Sequence, residues 1–184
     1  LPSVISVDPR MYKGIKPKLT VRPGDDVLIG SKLFFDKNNP ECQFVSQHSG
    51  KIKDIKFGER RVVENIIIET DGNNKFMDYN FDLSTRNPEK IRNILLETGM
   101  WASIRQRPFS KIPQSDSHPK SVFVSTMSTA PNSFNYVSIL NERCKDFAKG
   151  VKLLSLMLNV KINICSSAQD QNIFNFGNSN VELH

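Results

Sequence analysis

The 184-residue chain is 38% hydrophobic and 24% charged, enough apolar content for a buried core, and its net charge of +6 is too small for a disordered segment. No apolar run approaches the ~20 residues that cross a bilayer; the nearest, VKLLSLMLNVKI (151–162), carries Lys152 and Lys161. Cys42, Cys144 and Cys165 are odd in number and scattered, as are the three histidines, so reduced thiols and no metal site are expected.

In chain order, residues 1–16 are an N-terminal segment without the basic and apolar regions of a signal peptide. The start lacks a methionine, and the chain is expected to be a fragment of a longer protein. Residues 17–70 read as a β domain. LTV (19–21), VLIG, KLFFD, QFVS, KIKDIKF and VVENIIIET are short runs rich in Val, Ile and Phe. The turns RPGDD, QHSG and GERR and a polar break, KNNPEC, separate them. Residues 71–120 are expected to be a linker that carries a helix and a cationic, aromatic loop. The helix has Asn87 as its cap, Pro88 at its first position, an apolar face of Ile91, Ile94 and Leu95, and Gly99 as its stop. From 121 to 184 the pattern turns to α/β. SVFVSTM predicts a strand, Leu140–Leu158 a helix with Phe147, Val151, Leu154 and Leu158 on one face, and VKINICSS a second strand. NIFNF suggests a third. Strand–helix–strand at this spacing predicts a right-handed βαβ unit.

Three features bear on function. The excess of positive charge sits in residues 1–62, which hold twelve Lys and Arg against seven Asp and Glu. It suits nucleic acid, anionic lipid, an acidic partner or simply a solvated face. Nucleic-acid binding needs stacking aromatics, for which Phe34, Phe35, Phe44 and Phe57 are the candidates, and most read as core. The turn after SVFVSTM has no glycine, which argues against a dinucleotide there. The third feature is GMWASIRQRPFSKIP (99–113). Arg105, Arg107 and Lys111 supply donors for a phosphate or a quinone carbonyl, and Trp101 and Phe109 supply flat apolar faces. An interdomain clamp with solvated cations explains the same residues.

The pattern TVRPGDDVLIGSKLFFDK followed by FVSQHSGKIKDI is similar to biotinyl/lipoyl-type barrels. Gly24 and Gly30 serve its turns, and Val27, Leu33 and Phe34 face inward. Lys37 stands near the place of a carrier lysine, but the hairpin residues that would flank it are missing, so a barrel without a swinging arm is expected. With ERRVVENIIIE, LLETGMWASIRQRPFSKIP, SVFVSTMSTAPN and VKLLSLMLNVKINIC, the chain resembles the A subunits of the bacterial sodium-translocating NADH:quinone oxidoreductase. The resemblance implies an α+β to α/β fold, with a small biotinyl/lipoyl-like barrel-sandwich hybrid followed by a truncated Rossmann-like domain. It implies a peripheral place on the cytoplasmic side of the inner membrane, in a six-subunit complex whose membrane subunits couple ubiquinone reduction to sodium export. No transmembrane segment and no redox cofactor belong to the subunit itself. The fold is related to the flavin-bearing subunit of respiratory complex I, in which glycines stand where this chain has Arg105, Arg107, Pro108 and Phe109; that bulk implies no flavin. Quinone-site residues expected from the loop are Trp101, Arg105, Arg107, Phe109 and Lys111, with Tyr12, Lys13 and Gly14 of MYKGIKP as a second element. Docking of partner subunits is the alternative role.

Overall fold

The computed structural model describes residues 2–82, 84–128, 130–134, 136–167, 169–170 and 181–184. They form two compact units, the first built from the residues up to Asp82 with Arg92–Ser117, the second from residues 84–91 with His118–His184. The segment 71–120 is thus divided between the units.

In the first unit, β1 (Val4–Val7), β3 (Asp26–Val27), β6 (Gly50–Phe57) and β7 (Val63–Thr70) make an antiparallel sheet in the order β1-β7-β6-β3. A second antiparallel sheet has the order β2-β4-β5, from β2 (Pro17–Leu19), β4 (Lys32–Asp36) and β5 (Asn39–Val45). This is the barrel-sandwich architecture. Leu33, Phe34, Phe44, Ile52, Ile66 and Ile68 fill its interior. Leu33 and Phe34 are adjacent yet both buried, because a register shift between Lys32 and Phe34 bends β4 so that neighbours share a face. Phe34 and Phe44 pair across the strands and stack at 4.5 Å. Gly24 and Gly30 hold φ of +96° and +98°, as the turn pattern requires.

Several local expectations change. LTV is not a strand over 19–21: pairing with β4 runs over Pro17–Leu19, and Thr20 already leaves the ladder to hydrogen-bond Leu33 and Lys32. The polar break KNNPEC is instead a hairpin, in which Lys37 and Asn38 turn the chain and NPEC runs on in β5. Buried Asp36 explains it, since Oδ1 accepts from the backbone N–H of Lys16 (2.8 Å) and of Asn38 (3.0 Å), closing the turn from its side chain. Residues 71–82 form a strap over the barrel. Ile29 bridges Phe76, and its N–H donates to Lys75.

α1 (Pro88–Glu97) starts as predicted. The side chain of Asn87 accepts from the N–H of Glu89 and Lys90, and Gly99 ends the run at φ +74°.

The second unit carries β8 (Val122–Ser125), α2 (Tyr136–Glu142), α3 (Cys144–Leu158), β9 (Ile162–Cys165) and β10 (Val181–Leu183). Its sheet is parallel in the order β10-β9-β8, so β8, the helices and β9 make the expected βαβ unit. Val151 packs on Ile162 and Ile164, with Val122, Val124, Leu154 and Val181 around them. The single helix expected over Leu140–Leu158 is two, because Arg143 leaves helical geometry at ψ 24°. NIFNF lies outside the described residues, among which a third strand of this sheet lies at Val181–Leu183. No helix among the described residues is long and apolar enough to cross a membrane.

Candidate functional site

Both elements singled out in the sequence, MYKGIKP and the loop after α1, belong to the first unit. A short 3-10 helix, Pro9–Met11, delivers the first. Asp8 caps it by accepting from the Arg10 N–H, and the Arg10 guanidinium bridges Asp8 (2.9 Å) and Glu64 (3.1 Å). That guanidinium holds the Asp8 carboxyl below its ordinary value. Tyr12 then meets the edge of Phe44 at 4.6 Å.

Gly99 delivers the second. A side chain there would sit 3.0 Å from Val45 and 3.3 Å from the Gln43 carbonyl, so only a glycine lets the chain press this closely on β5. The 3-10 helix Met100–Ser103 follows. Trp101 is 1% exposed, its indole N–H donates to the Pro113 carbonyl (2.9 Å), and the Arg92 guanidinium lies over its ring at 5.7 Å. Its expected role as a face for a ligand ring is therefore corrected. The largest apolar surface in the loop is spent on burial, and its one polar atom is satisfied within the protein. Arg105 closes the 3-10 helix by donating to the carbonyls of Ala102 and Ile104 (3.1 Å). Gln106 pairs with Lys111 across a turn that holds Arg107, a cis Pro108 and Phe109.

Of the eight predicted residues, Trp101 is buried and the other seven separate into three groups. Tyr12 and Arg105 line a cleft of about 470 Å³ together with Phe44, Phe76, Met100 and the Tyr79 side chain. Phe76 and Met100 are 71% and 57% exposed, an apolar lip of the kind that gains from covering. The phenol of Tyr79 donates to the Gly30 carbonyl (2.5 Å), tying the strap to the barrel, and burial followed by the Glu97 charge raises its pKa. Lys13, Gly14 and Lys111 line a second cleft of about 200 Å³, and Phe44 faces both. Arg107 and Phe109 line neither and stand exposed at the hairpin tip, Phe109 at 74%.

The sequence reading missed Phe44, Phe76, Met100, Asn38 and Gln114 as cleft residues. Phe76 had a signal, an aromatic in the otherwise polar run DGNNKFMDY; the others depend on the tertiary fold. Of the aromatics considered for nucleic acid, Phe34 and Phe44 are core and Phe57 is 51% exposed. Phe35 is half-buried beneath Lys18, whose Nζ lies 5.5 Å from its ring centre.

Comparison with known proteins gives these clefts a context. The NqrA N-terminal barrel-sandwich hybrid domain matches residues 2–71, and the NqrA second alpha/beta domain matches residues 86–184. The A subunit of the Na(+)-translocating NADH-quinone reductase of Histophilus somni (strain 2336) is 39% identical over 176 residues, which are 94% of this chain and 39% of that protein. The protein of the same name from Neisseria meningitidis serogroup A is 36% identical over the same shares. That from Shewanella amazonensis is 35% identical over 85% of the chain and 36% of its own length. The chain thus spans about 39% of the curated relatives it matches. With a family match over each of its two segments, it belongs to the NqrA family.

Proposed function

We propose that this chain is part of the A subunit of a sodium-translocating NADH–quinone reductase, in which it helps hold ubiquinone during a reduction coupled to sodium export. The observation that carries this reading is the larger cleft. Two elements far apart in sequence bring Tyr12 and Arg105 to one volume of about 470 Å³ walled by Phe44, Phe76 and Met100. That volume falls within the roughly 300–1,000 Å³ of small-molecule sites. A quinone head group is flat, apolar and bordered by carbonyl acceptors. Aromatic walls take its faces, and the donors Arg105 keeps beyond its two backbone bonds take a carbonyl oxygen. In this reading Lys13, Gly14 and Lys111 lie outside the head-group site, and buried Trp101 anchors the loop that carries Arg105 by donating to the Pro113 carbonyl. The protein works without a flavin or metal of its own, on the cytoplasmic side of the inner membrane, docked on membrane partners. The bulk of Arg105, Arg107, Pro108 and Phe109 supports the flavin-free reading, and a preparation purified with bound flavin fluorescence would end it.

The test is steady-state kinetics of the assembled complex. Arg105→Gln should raise the quinone KM about tenfold with a smaller effect on kcat, the signature of lost uniform binding. Arg107→Gln, two residues on but outside both clefts, should leave KM unchanged. Equal effects of the two, or none, would remove the cleft from quinone binding. A second reading rests on the exposed hairpin tip: Phe109, 74% exposed on a turn held by the Gln106–Lys111 pair, suits a contact with a partner protein of the complex.

A further inference from the structure

The smaller cleft has a chemistry of its own. Lys13, Asn38, Lys111 and Gln114 line it, together with buried Asp36, Asn39 and Cys42, around about 200 Å³. Its size lies below the roughly 300 Å³ at which pockets for drug-sized molecules begin. At roughly 30 Å³ for each water, it holds the space of about seven waters.

The polar groups divide into those that are occupied and those that are free. Asp36 Oδ1 accepts two backbone N–H bonds, from Lys16 and Asn38, which tie its carboxylate to the hairpin. The Asn39 amide donates to the Pro113 carbonyl at 3.3 Å. Burial, and after it the charge of Asp36, pushes the Cys42 thiol up to about 12, so no thiolate faces the cleft at neutral pH. The ammonium groups of Lys13 and Lys111 and the side-chain amides of Asn38 and Gln114 have no protein partner among the described residues. Gly14, at φ +81°, lies beside the Lys111 stem: a Cβ there would meet Lys111 Cε at 3.7 Å and Cδ at 3.9 Å in ordinary contact.

Two point charges and two neutral amide donors around a volume of this size match a compact oxyanion. Lysine binds phosphate as a point charge, and amide N–H groups complete the shell. We infer that the cleft between the Lys37–Asn38 hairpin and the loop 111–114 binds a phosphoryl group through Lys13, Lys111, Asn38 and Gln114. The inference concerns a different cleft from the quinone proposal and stands or falls without it.

Calorimetric titration of the full-length protein with inorganic phosphate at low ionic strength tests it. One saturable site is expected. Gln114→Glu, which keeps the side-chain shape and reverses the electrostatics, should weaken binding about tenfold or more. The pair Lys13→Gln and Lys111→Gln should do the same. The control pair Lys51→Gln and Lys53→Gln removes two exposed lysines of β6, whose contacts with Asp26 (3.8 Å) and Glu69 (3.7 Å) are loose, and should leave affinity unchanged. A second arm adds dihexanoyl-phosphatidylglycerol. Displacement of phosphate assigns the same phosphoryl site to a lipid headgroup, and no displacement keeps free phosphate as the ligand. No saturable heat, an unaffected Gln114→Glu variant, or equal weakening by the control pair overturns the inference.

Discussion

Trp101 and Cys42 are both 1% exposed, and each predicts something measurable. The Trp101 indole fills space and donates to the Pro113 carbonyl, which Asn39 also reaches. Trp101→Ala should therefore cost about 3–5 kcal/mol, the range for emptying a large aromatic site. Trp101→Phe should cost less, because Pro113 keeps one donor: about 1 kcal/mol for the lost hydrogen bond, plus the missing volume. Urea unfolding followed by circular dichroism measures both, since the only tryptophan is the one replaced. Cys42 is 1% exposed, and burial lifts its pKa from an ordinary 9.0 to about 12. In the folded state the thiol keeps its proton where the unfolded chain loses it. The unfolded state binds fewer protons above pH 9, so stability contributed by the neutral thiol is complete below that pH and is lost as pH rises toward 12. Melts between pH 8 and 11 should show an alkaline decline of at most about 1.4 kcal/mol per pH unit from this residue. Cys42→Ala should flatten that part of the curve; an unchanged alkaline limb in the variant would assign the decline to other groups.

Among the elements, the hairpin of β6 and β7 has the tightest geometric demand. A Cβ on Gly50, at φ +154°, would stand 2.1 Å from the Glu69 carbonyl oxygen, and that oxygen belongs to the paired strand and cannot swing away. Gly50→Ala should destabilise the first unit by about 3 kcal/mol, read as a lowered urea midpoint with an unchanged slope. Gly50 was legible only as part of the turn QHSG; that a strand would lie against it is long-range information. The same distinction runs through the fold. The start and stop of α1 were readable because Asn87, Pro88 and Gly99 act through their own backbone neighbourhood. The run KNNPEC was not, because its strand character comes from buried Asn39 and Cys42 on one side and from Asp36 closing the turn. The break at Arg143 has no proline or glycine to announce it. For the site, the two segments and their chemistry were readable from local composition. Their division into two clefts was not, because it depends on Phe44 of β5 standing beside Tyr12 and facing both volumes.

At the scale of the whole molecule, the loop after α1 offers two surfaces to whatever the protein meets. Arg105 turns back onto its own 3-10 helix and faces the larger cleft, whereas Phe109, four residues later, is 74% exposed and outside both clefts. An exposed phenyl ring contributes little to the stability of its own fold, and burying one against a partner contributes about 1.5–3 kcal/mol. Phe109→Ala should accordingly change the unfolding free energy of the protein by no more than about 0.5 kcal/mol. If the tip is a docking contact, the same substitution should lower the yield of assembled complex, while complexes that do form retain the quinone KM. Arg105→Gln should do the opposite, leaving assembly intact and raising KM. Measured side by side by affinity purification and quinone kinetics, the two variants test whether binding and docking are separate properties of one short loop. Loss of both properties in both variants would mean that the loop acts as one rigid piece. An unchanged yield for Phe109→Ala would leave the tip without a docking role.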